Sequence, residues 1–225
     1  MEPESLGDKV PIFNAANPET LTWLGTVSEQ YHYPANTVLV EPEDWGKSVT
    51  FIVSGWVAVS TQIKKQEKTL SLLGTGDYFG DIAIFDDYPP FCRAIALSEV
   101  QLLSLSAQRF LQLLLKDSQL QQRMLQATTQ RLRYLYTRLK ATAHSASYQV
   151  IRLLMHLAES YGKTTEKGIE IFQLSETMIA DLVNSHPDEI TSILDSLIQS
   201  KLLVINPEKQ RFYLPNLKQL PHFYQ

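Results

Sequence analysis

The chain has 225 residues, 44% of them hydrophobic and 20% charged, the balance of an ordinary globular protein with room for two modest cores. A formal net charge of −4 excludes the overall basic character that draws a protein to nucleic acid by charge alone, and the single cysteine, Cys92, excludes an intrachain disulfide or a cluster held by several thiolates. The longest apolar runs, such as Leu111–Leu115, are too short for a bilayer span, and the acidic start Met1-Glu2-Pro3-Glu4 lacks a signal-peptide pattern, so a cytoplasmic location is expected.

Pro18-Glu-Thr-Leu-Thr-Trp-Leu reads as a short capped helix. From there to Leu105 the segments are short, rich in β-branched and aromatic residues, and separated by turn formers such as Pro34-Ala-Asn36, Ser54-Gly55, Gly74-Thr-Gly76 and Pro89-Pro90. Thr37–Val40, Val49–Val53, Trp56–Thr61, Thr69–Leu73, Arg93–Leu97 and Val100–Leu105 are expected as strands of a β-roll spanning residues 1–105. Cys92 falls beside one of these strands and reads as a small packing residue.

No glycine or proline occurs between Pro90 and Gly162, so residues 106–144 are expected as one long helix. On it Leu125, Thr128, Leu132, Leu135, Leu139 and Thr142 recur at alternating spacings of three and four, forming a single stripe. Such a stripe serves either a parallel homodimer or packing on the chain's own roll.

Residues 145–225 follow a different pattern: a helix over Ser147–Ser160, a short strand at Ile169–Phe172, then Ser175-Glu-Thr-Met-Ile-Ala-Asp-Leu-Val as a short helix. After Asn184-Ser185 a second helix runs from Pro187 to Ser200, proline being well placed in a first turn where its missing N–H costs little. Leu202–Ile205 and Arg211–Leu214 read as a two-stranded wing, which makes the segment a winged helix-turn-helix. The fold class expected for the whole chain is α+β.

Together, Phe51-Ile-Val-Ser-Gly55-Trp-Val-Ala-Val, Gly76-Asp-Tyr-Phe-Gly80-Asp81-Ile-Ala-Ile-Phe, Ala96-Leu97 and the helix-turn-helix resemble the cyclic-AMP receptor/FNR (CRP/FNR) family of bacterial transcription regulators along almost the whole chain. Lys163-Thr-Thr-Glu-Lys-Gly168-Ile-Glu-Ile looks most like the cyanobacterial nitrogen-control branch. The resemblance implies a homodimer that binds palindromic DNA and a roll that takes a small effector between a short helix and the long one. It places Leu125, Thr128, Leu132, Leu135 and Leu139 in the dimer interface.

For a cyclic nucleotide the resemblance requires backbone N–H groups, a ribose-binding carboxylate and an arginine for the phosphate. Gly80 and Ile82 supply the first and Asp81 stands at the second, but the arginine position falls on Pro90, and the adenine-binding hydroxyl pair falls on Leu135 and Tyr136. Cyclic AMP is therefore not expected as the effector. The nitrogen regulators bind 2-oxoglutarate through arginines, for which Arg93 and Arg131 are candidates here; the alternatives are that both are exposed, solvated arginines and that the roll is empty and acts only as a dimer scaffold.

In the recognition helix the family's two arginines and glutamate fall on Pro187, Ser192 and Asp188, so Ser185, His186, Asp188, Glu189, Thr191 and Ser192 are the candidate base-reading residues and Lys209 and Arg211 the candidate phosphate contacts. From Ser145 onward seven lysines and arginines face nine acidic residues, which weakens the counterion-release term of DNA affinity. The alternative is a domain that meets a protein partner through an acidic surface. The histidines, His32, His144, His156, His186 and His222, are scattered, so no metal or other cofactor is expected; nor is catalysis, since no nucleophile–base or metal-ligand spacing occurs.

Overall fold

The computed structural model describes residues 7, 9–14, 16–86 and 91–223, and Pro89 and Pro90 lie outside them. The chain forms two compact units, Met1–Arg131 and Leu132–Gln225, and its class is α+β.

In the first unit eight strands, β1 (Glu29–Tyr33), β2 (Val38–Val40), β3 (Ser48–Ser54), β4 (Val57–Ile63), β5 (Gln66–Leu73), β6 (Tyr78–Phe79), β7 (Arg93–Ala96) and β8 (Val100–Ser106), build two sheets. Their orders are β1-β8-β3-β6 and β2-β7-β4-β5, antiparallel throughout. Strand β3 shows why the sequence folds this way. Successive side chains point to opposite faces, and along the middle of β3 both faces are buried. Val49, Phe51 and Val53 enter one core with Phe13, Leu24, Leu103, Leu105 and Phe110. Ile52 enters the other, between the sheets, with Val57, Phe79, Ala94, Ala96, Val100 and Leu102.

The segment expected as a single long helix is two: α3 (Ala107–Lys116) and α4 (Ser118–Ala141), after α1 (Pro18–Val27) and α2 (Ile82–Phe85). The break needs no proline. Asp117 leaves the helical region (φ −125°, ψ 96°), and its buried carboxylate accepts the backbone N–H groups of Gln119 and Leu120, both at 3.1 Å, capping α4. Its second oxygen accepts the Thr20 hydroxyl of α1 at 3.2 Å. Leu120 and Met124 then bury one face of α4 in the first core, with Ala127 packed against it.

The second unit holds α5 (Ala146–Tyr161), β9 (Lys163–Thr165), β10 (Gly168–Phe172), α6 (Glu176–Val183), α7 (Pro187–Gln199), β11 (Val204–Asn206) and β12 (Arg211–Leu214). Its sheet has the order β11-β12-β10-β9. The Ser175 hydroxyl caps α6 by accepting Met178 N–H at 3.2 Å. Asn184 then turns the chain in the left-handed region (φ 53°), and Ser185 N–H closes on Ala180 O at 2.9 Å. Ala180, 2% exposed, leaves room for α7, whose Ile190, Ile193, Leu194 and Leu197 are buried. Among the described residues no helix is long and apolar enough to cross a membrane.

Candidate functional site

Two places collect the candidate residues, one in each unit. In the roll, β6 ends in Gly80 at φ +96°, a backbone conformation that L side chains rarely adopt. A β-carbon there would stand 2.2 Å from the carbonyl oxygen of Ser48, so only glycine lets β6 pass this close to β3. Directly after it Asp81, 6% exposed, begins α2. Burial raises the Asp81 pKa above the ordinary carboxylate value, and the Arg131 guanidinium pulls it down without offsetting burial fully.

The partner is close. Arg131 Nη1 lies 3.2 Å from Asp81 Oδ2 and 3.4 Å from Oδ1, its Nη2 donates to the Tyr78 carbonyl at 2.5 Å, and the guanidinium sits 3.9 Å over the Tyr78 ring. The Tyr78 hydroxyl is buried with no partner at full hydrogen-bond geometry, and burial raises its pKa. Arg93 is engaged as well: its Nε donates to Glu41 Oε2 at 2.6 Å, from β7 to the residue after β2. The two arginines expected to await an effector thus each hold a carboxylate of the same chain.

Between α2 and the helices α3 and α4 lies a groove of about 400 Å³ lined by Asp81, Ile82, Phe85, Asp86, Leu114, Gln121, Met124, Leu125 and Thr128. Among the described residues its walls hold two carboxylates and no lysine or arginine. Gln121 already donates to Leu114 O at 2.6 Å and Thr128 to Met124 O at 2.9 Å. The position that the resemblance gives to the phosphate-binding arginine, Pro90, lies outside the described residues.

Helix α4 presents a second face. Leu125, Leu132, Leu135 and Leu139 are 69%, 48%, 53% and 66% exposed, with Thr128 exposed among them, and Leu125 and Thr128 also line the groove. The roll-facing residues are Leu120, Met124 and Arg131, with Ala127 between them.

In the second unit His186, Asp188, Glu189, Thr191 and Ser192 are exposed around the start of α7, with Ser185 half-buried. Local bonds occupy several of them. Ser185 donates to the Glu189 carboxylate, Thr191 to Pro187 O at 3.1 Å, and Ser192 to Asp188 O at 3.1 Å, leaving the hydroxyl oxygens free only as acceptors. Lys209 is exposed in the wing, where its backbone N–H bonds Asn206 Oδ1 at 3.2 Å. Arg211 Nε pairs with Glu170 Oε1 at 3.1 Å.

A further cluster in this unit joins α4, α5 and α6. Arg138 Nη2 donates to Leu182 O at 2.7 Å, near the end of α6 where helix carbonyls lack partners. Beside it the His156 ring stacks on Tyr134, centroids 3.7 Å apart. Burial chiefly, with Arg138 and Arg152 adding repulsion, lowers the His156 pKa to about 4, so the ring is neutral at pH 7. No local motif announces either contact. Among the described residues no group of three or more metal-ligating side chains assembles.

Comparison with known proteins follows the same division. Residues 30–117 match the cyclic nucleotide-binding domain family. The cyclic AMP receptor protein of Thermus thermophilus is 23% identical over 204 residues, 88% of this chain and 89% of that protein. The global nitrogen regulator of Nostoc sp. is 25% identical over 188 residues, 81% of this chain and 84% of that protein. Among solved structures, the c-di-GMP responsive global regulator CLP of Xanthomonas campestris shares the fold at a TM-score of 0.71 and 19% identity, covering 89% of this chain and 100% of its own. The chain thus carries a roll that matches the cyclic nucleotide-binding domain family at residues 30–117, a winged helix-turn-helix after it, and similarity over most of its length to regulators of the cyclic AMP receptor and global nitrogen regulator kind.

Proposed function

We propose that this chain is a DNA-binding transcriptional regulator that acts as a homodimer and is not controlled by cyclic AMP. The observation that carries the first part is the α6–Asn184–α7 turn: a closed helix-turn-helix whose second helix exposes its N-terminal residues beside a wing. In this reading Ser185, His186, Asp188, Glu189, Thr191 and Ser192 face a groove. The carboxylates accept hydrogen bonds from cytosine amino groups, and Lys209 and Arg211 meet phosphates. The leucines left exposed along α4 support a parallel homodimer through Leu125, Thr128, Leu132, Leu135 and Leu139. Residues 1–105 then act as the sensor, 106–144 as the dimerisation segment and 145–225 as the DNA-binding domain.

Against cyclic AMP stands the groove beside α2, whose described lining residues offer the nucleotide phosphate no cation. An effector that uses Arg93 or Arg131 meets a guanidinium already paired with Glu41 or Asp81. A second reading, a regulator that works through protein contacts, is favoured by Asp188 and Glu189 at the exposed end of α7 and by the pairing of Arg211 with Glu170.

Selection from a random DNA pool at low salt, with and without cyclic AMP and 2-oxoglutarate, separates the two. The DNA reading expects a palindrome with half-sites about 34–36 Å apart and binding that weakens steeply with salt. No enriched sequence under any condition would sink it in favour of the protein-contact reading.

A further inference from the structure

Helix α4 contains five lysines and arginines and no carboxylate. Three of the five are engaged: Arg123 donates to Pro11 O at 2.8 Å, Arg131 pairs with Asp81, and Arg138 donates to Leu182 O at 2.7 Å. Arg133 and Lys140 are left exposed, and among the described residues neither side chain has an ion-pair or hydrogen-bond partner. We infer that these two form a phosphate-binding stripe through which the second unit holds the nucleic-acid backbone, apart from its helix-turn-helix and wing.

Three features support it. The end of α4 belongs to the second unit, which begins at Leu132. Tyr134 stacks on His156 of α5, Arg138 reaches the end of α6, and Ala141 is 6% exposed, so this face of α4 is packed against the DNA-binding helices. Counted at about 100° per residue, the packed face, the row Leu132, Leu135 and Leu139, and the pair Arg133 and Lys140 stand roughly a third of a turn from one another. A second copy seated on the leucine row leaves the cationic face free. Second, the charge balance changes with the boundary. From Ser145 onward seven cations face nine acidic residues, whereas from Leu132 onward ten face nine, so α4 supplies the cations that the start of α7 lacks. Third, the spacing suits a phosphate backbone. Arg133 and Lys140 are two turns apart, about 10 Å along the axis, close to three steps of about 3.4 Å along one DNA strand. The helix dipole accounts for a cation in the last turn, Lys140, but not for Arg133 two turns earlier.

The inference rests on the DNA-binding reading and is tested on the full chain by anisotropy titration of a labelled duplex of scrambled sequence across a salt series. Arg133→Gln/Lys140→Gln should lower affinity at low salt by about tenfold and reduce the log–log salt slope by about two counterions. Arg133→Lys/Lys140→Arg should bind like the wild type. Lys64→Gln/Lys65→Gln removes the same charge at the exposed turn between β4 and β5 and should change neither quantity. An unchanged urea midpoint in the Arg133→Gln/Lys140→Gln variant shows that its loss of binding is not a loss of fold. Wild-type affinity and slope in that variant, or an equal loss in the Lys64/Lys65 variant, overturns the inference and leaves the regulator reading standing. Duplex binding that depends on the pair, with no sequence ever selected from a random pool, supports the stripe and removes the regulator reading. A wild-type chain that binds no duplex at any salt overturns both.

Discussion

In the roll the two arginines nearest the candidate pocket are paired inside the chain, Arg93 with Glu41 at 2.6 Å and Arg131 with Asp81 at 3.2 Å, whereas around the start of α7 the charged side chains stand in the open and are acidic. Both units share the backbone fold of the solved structures the chain resembles. What differs is where the chemistry has gone. In the roll the charges are paired within the chain, Arg93 with Glu41 between strands and Arg131 with Asp81 between helix and roll. The reading surface remains accessible but offers carboxylates and hydroxyls where a phosphate-rich partner favours cations. Fold and ligand preference are thus separable, since packing keeps the first and a few surface residues decide the second.

The largest expected effect tests how rigid the inward-turned region is. Gly80→Ala places a methyl group 2.2 Å from Ser48 O at a positive φ and should cost roughly 2–4 kcal/mol, read as a lower midpoint in urea unfolding. A cost below about 0.5 kcal/mol would mean that the β6–β3 approach relaxes freely and that the platform receiving Arg131 is soft.

Next in size is a change that makes the reading surface less unlike a DNA binder. Glu170→Gln releases Arg211 and removes one negative charge near the wing. Non-specific DNA affinity at low salt should rise several-fold, with a salt dependence steeper by about one counterion. An unchanged affinity measured by fluorescence anisotropy would remove Arg211 from the DNA-contacting set.

The second unit also carries a half-buried neutral histidine, His156. Its folded pKa of about 4 lies below the ordinary 6.5, so between these values the unfolded chain binds the proton and the folded chain does not. Stability should therefore be full above about pH 6.5 and decline as the pH falls toward about 4. His156→Leu should flatten that part of the stability curve. A wild-type curve level across this window would place His156 in contact with water.

The smallest effect concerns the turn itself. Asn184 occupies the left-handed region at φ 53°, where glycine has no steric cost, although glycine also loses more freedom on folding. Asn184→Gly should shift stability by less than about 1 kcal/mol in either direction and leave DNA selection unchanged. A larger loss would show that the Asn184 side chain makes a contact beyond the turn.

Much of the architecture is legible in the sequence because its signals are local. The six expected strands, the α6 cap at Ser175 and the proline at the start of α7 all follow from short patterns. Strand β1 does not, because Glu29-Gln-Tyr-His-Tyr is an edge strand with little buried surface and so shows no apolar alternation. Strand β6 is two residues long and carries no period at all. The division of the long helix at Asp117 is invisible for another reason: the capping carboxylate is stabilised by Thr20, far away in the chain.

At the sites the same distinction holds. Asp81 and Arg131 can each be named from the sequence as ligand candidates, but nothing local says that they face each other. Glu170 and Arg211 are neighbours only because β10 and β12 pair with Phe172 opposite Arg211, which puts the two side chains on one face as a diagonal pair.

Asp117 also sets a rotational origin. A helix advances about 100° and 1.5 Å per residue, so the capped start of α4 fixes the bearing of every side chain after it. Arg131 points at Asp81, and the leucine row points elsewhere, because both are counted from the same buried carboxylate that holds Thr20. Adding or deleting a single residue between Asp117 and Arg131 would swing the guanidinium and the leucines together by more than a quarter turn. The length of this short stretch, more than the identity of its exposed residues, is what the chain has least freedom to change.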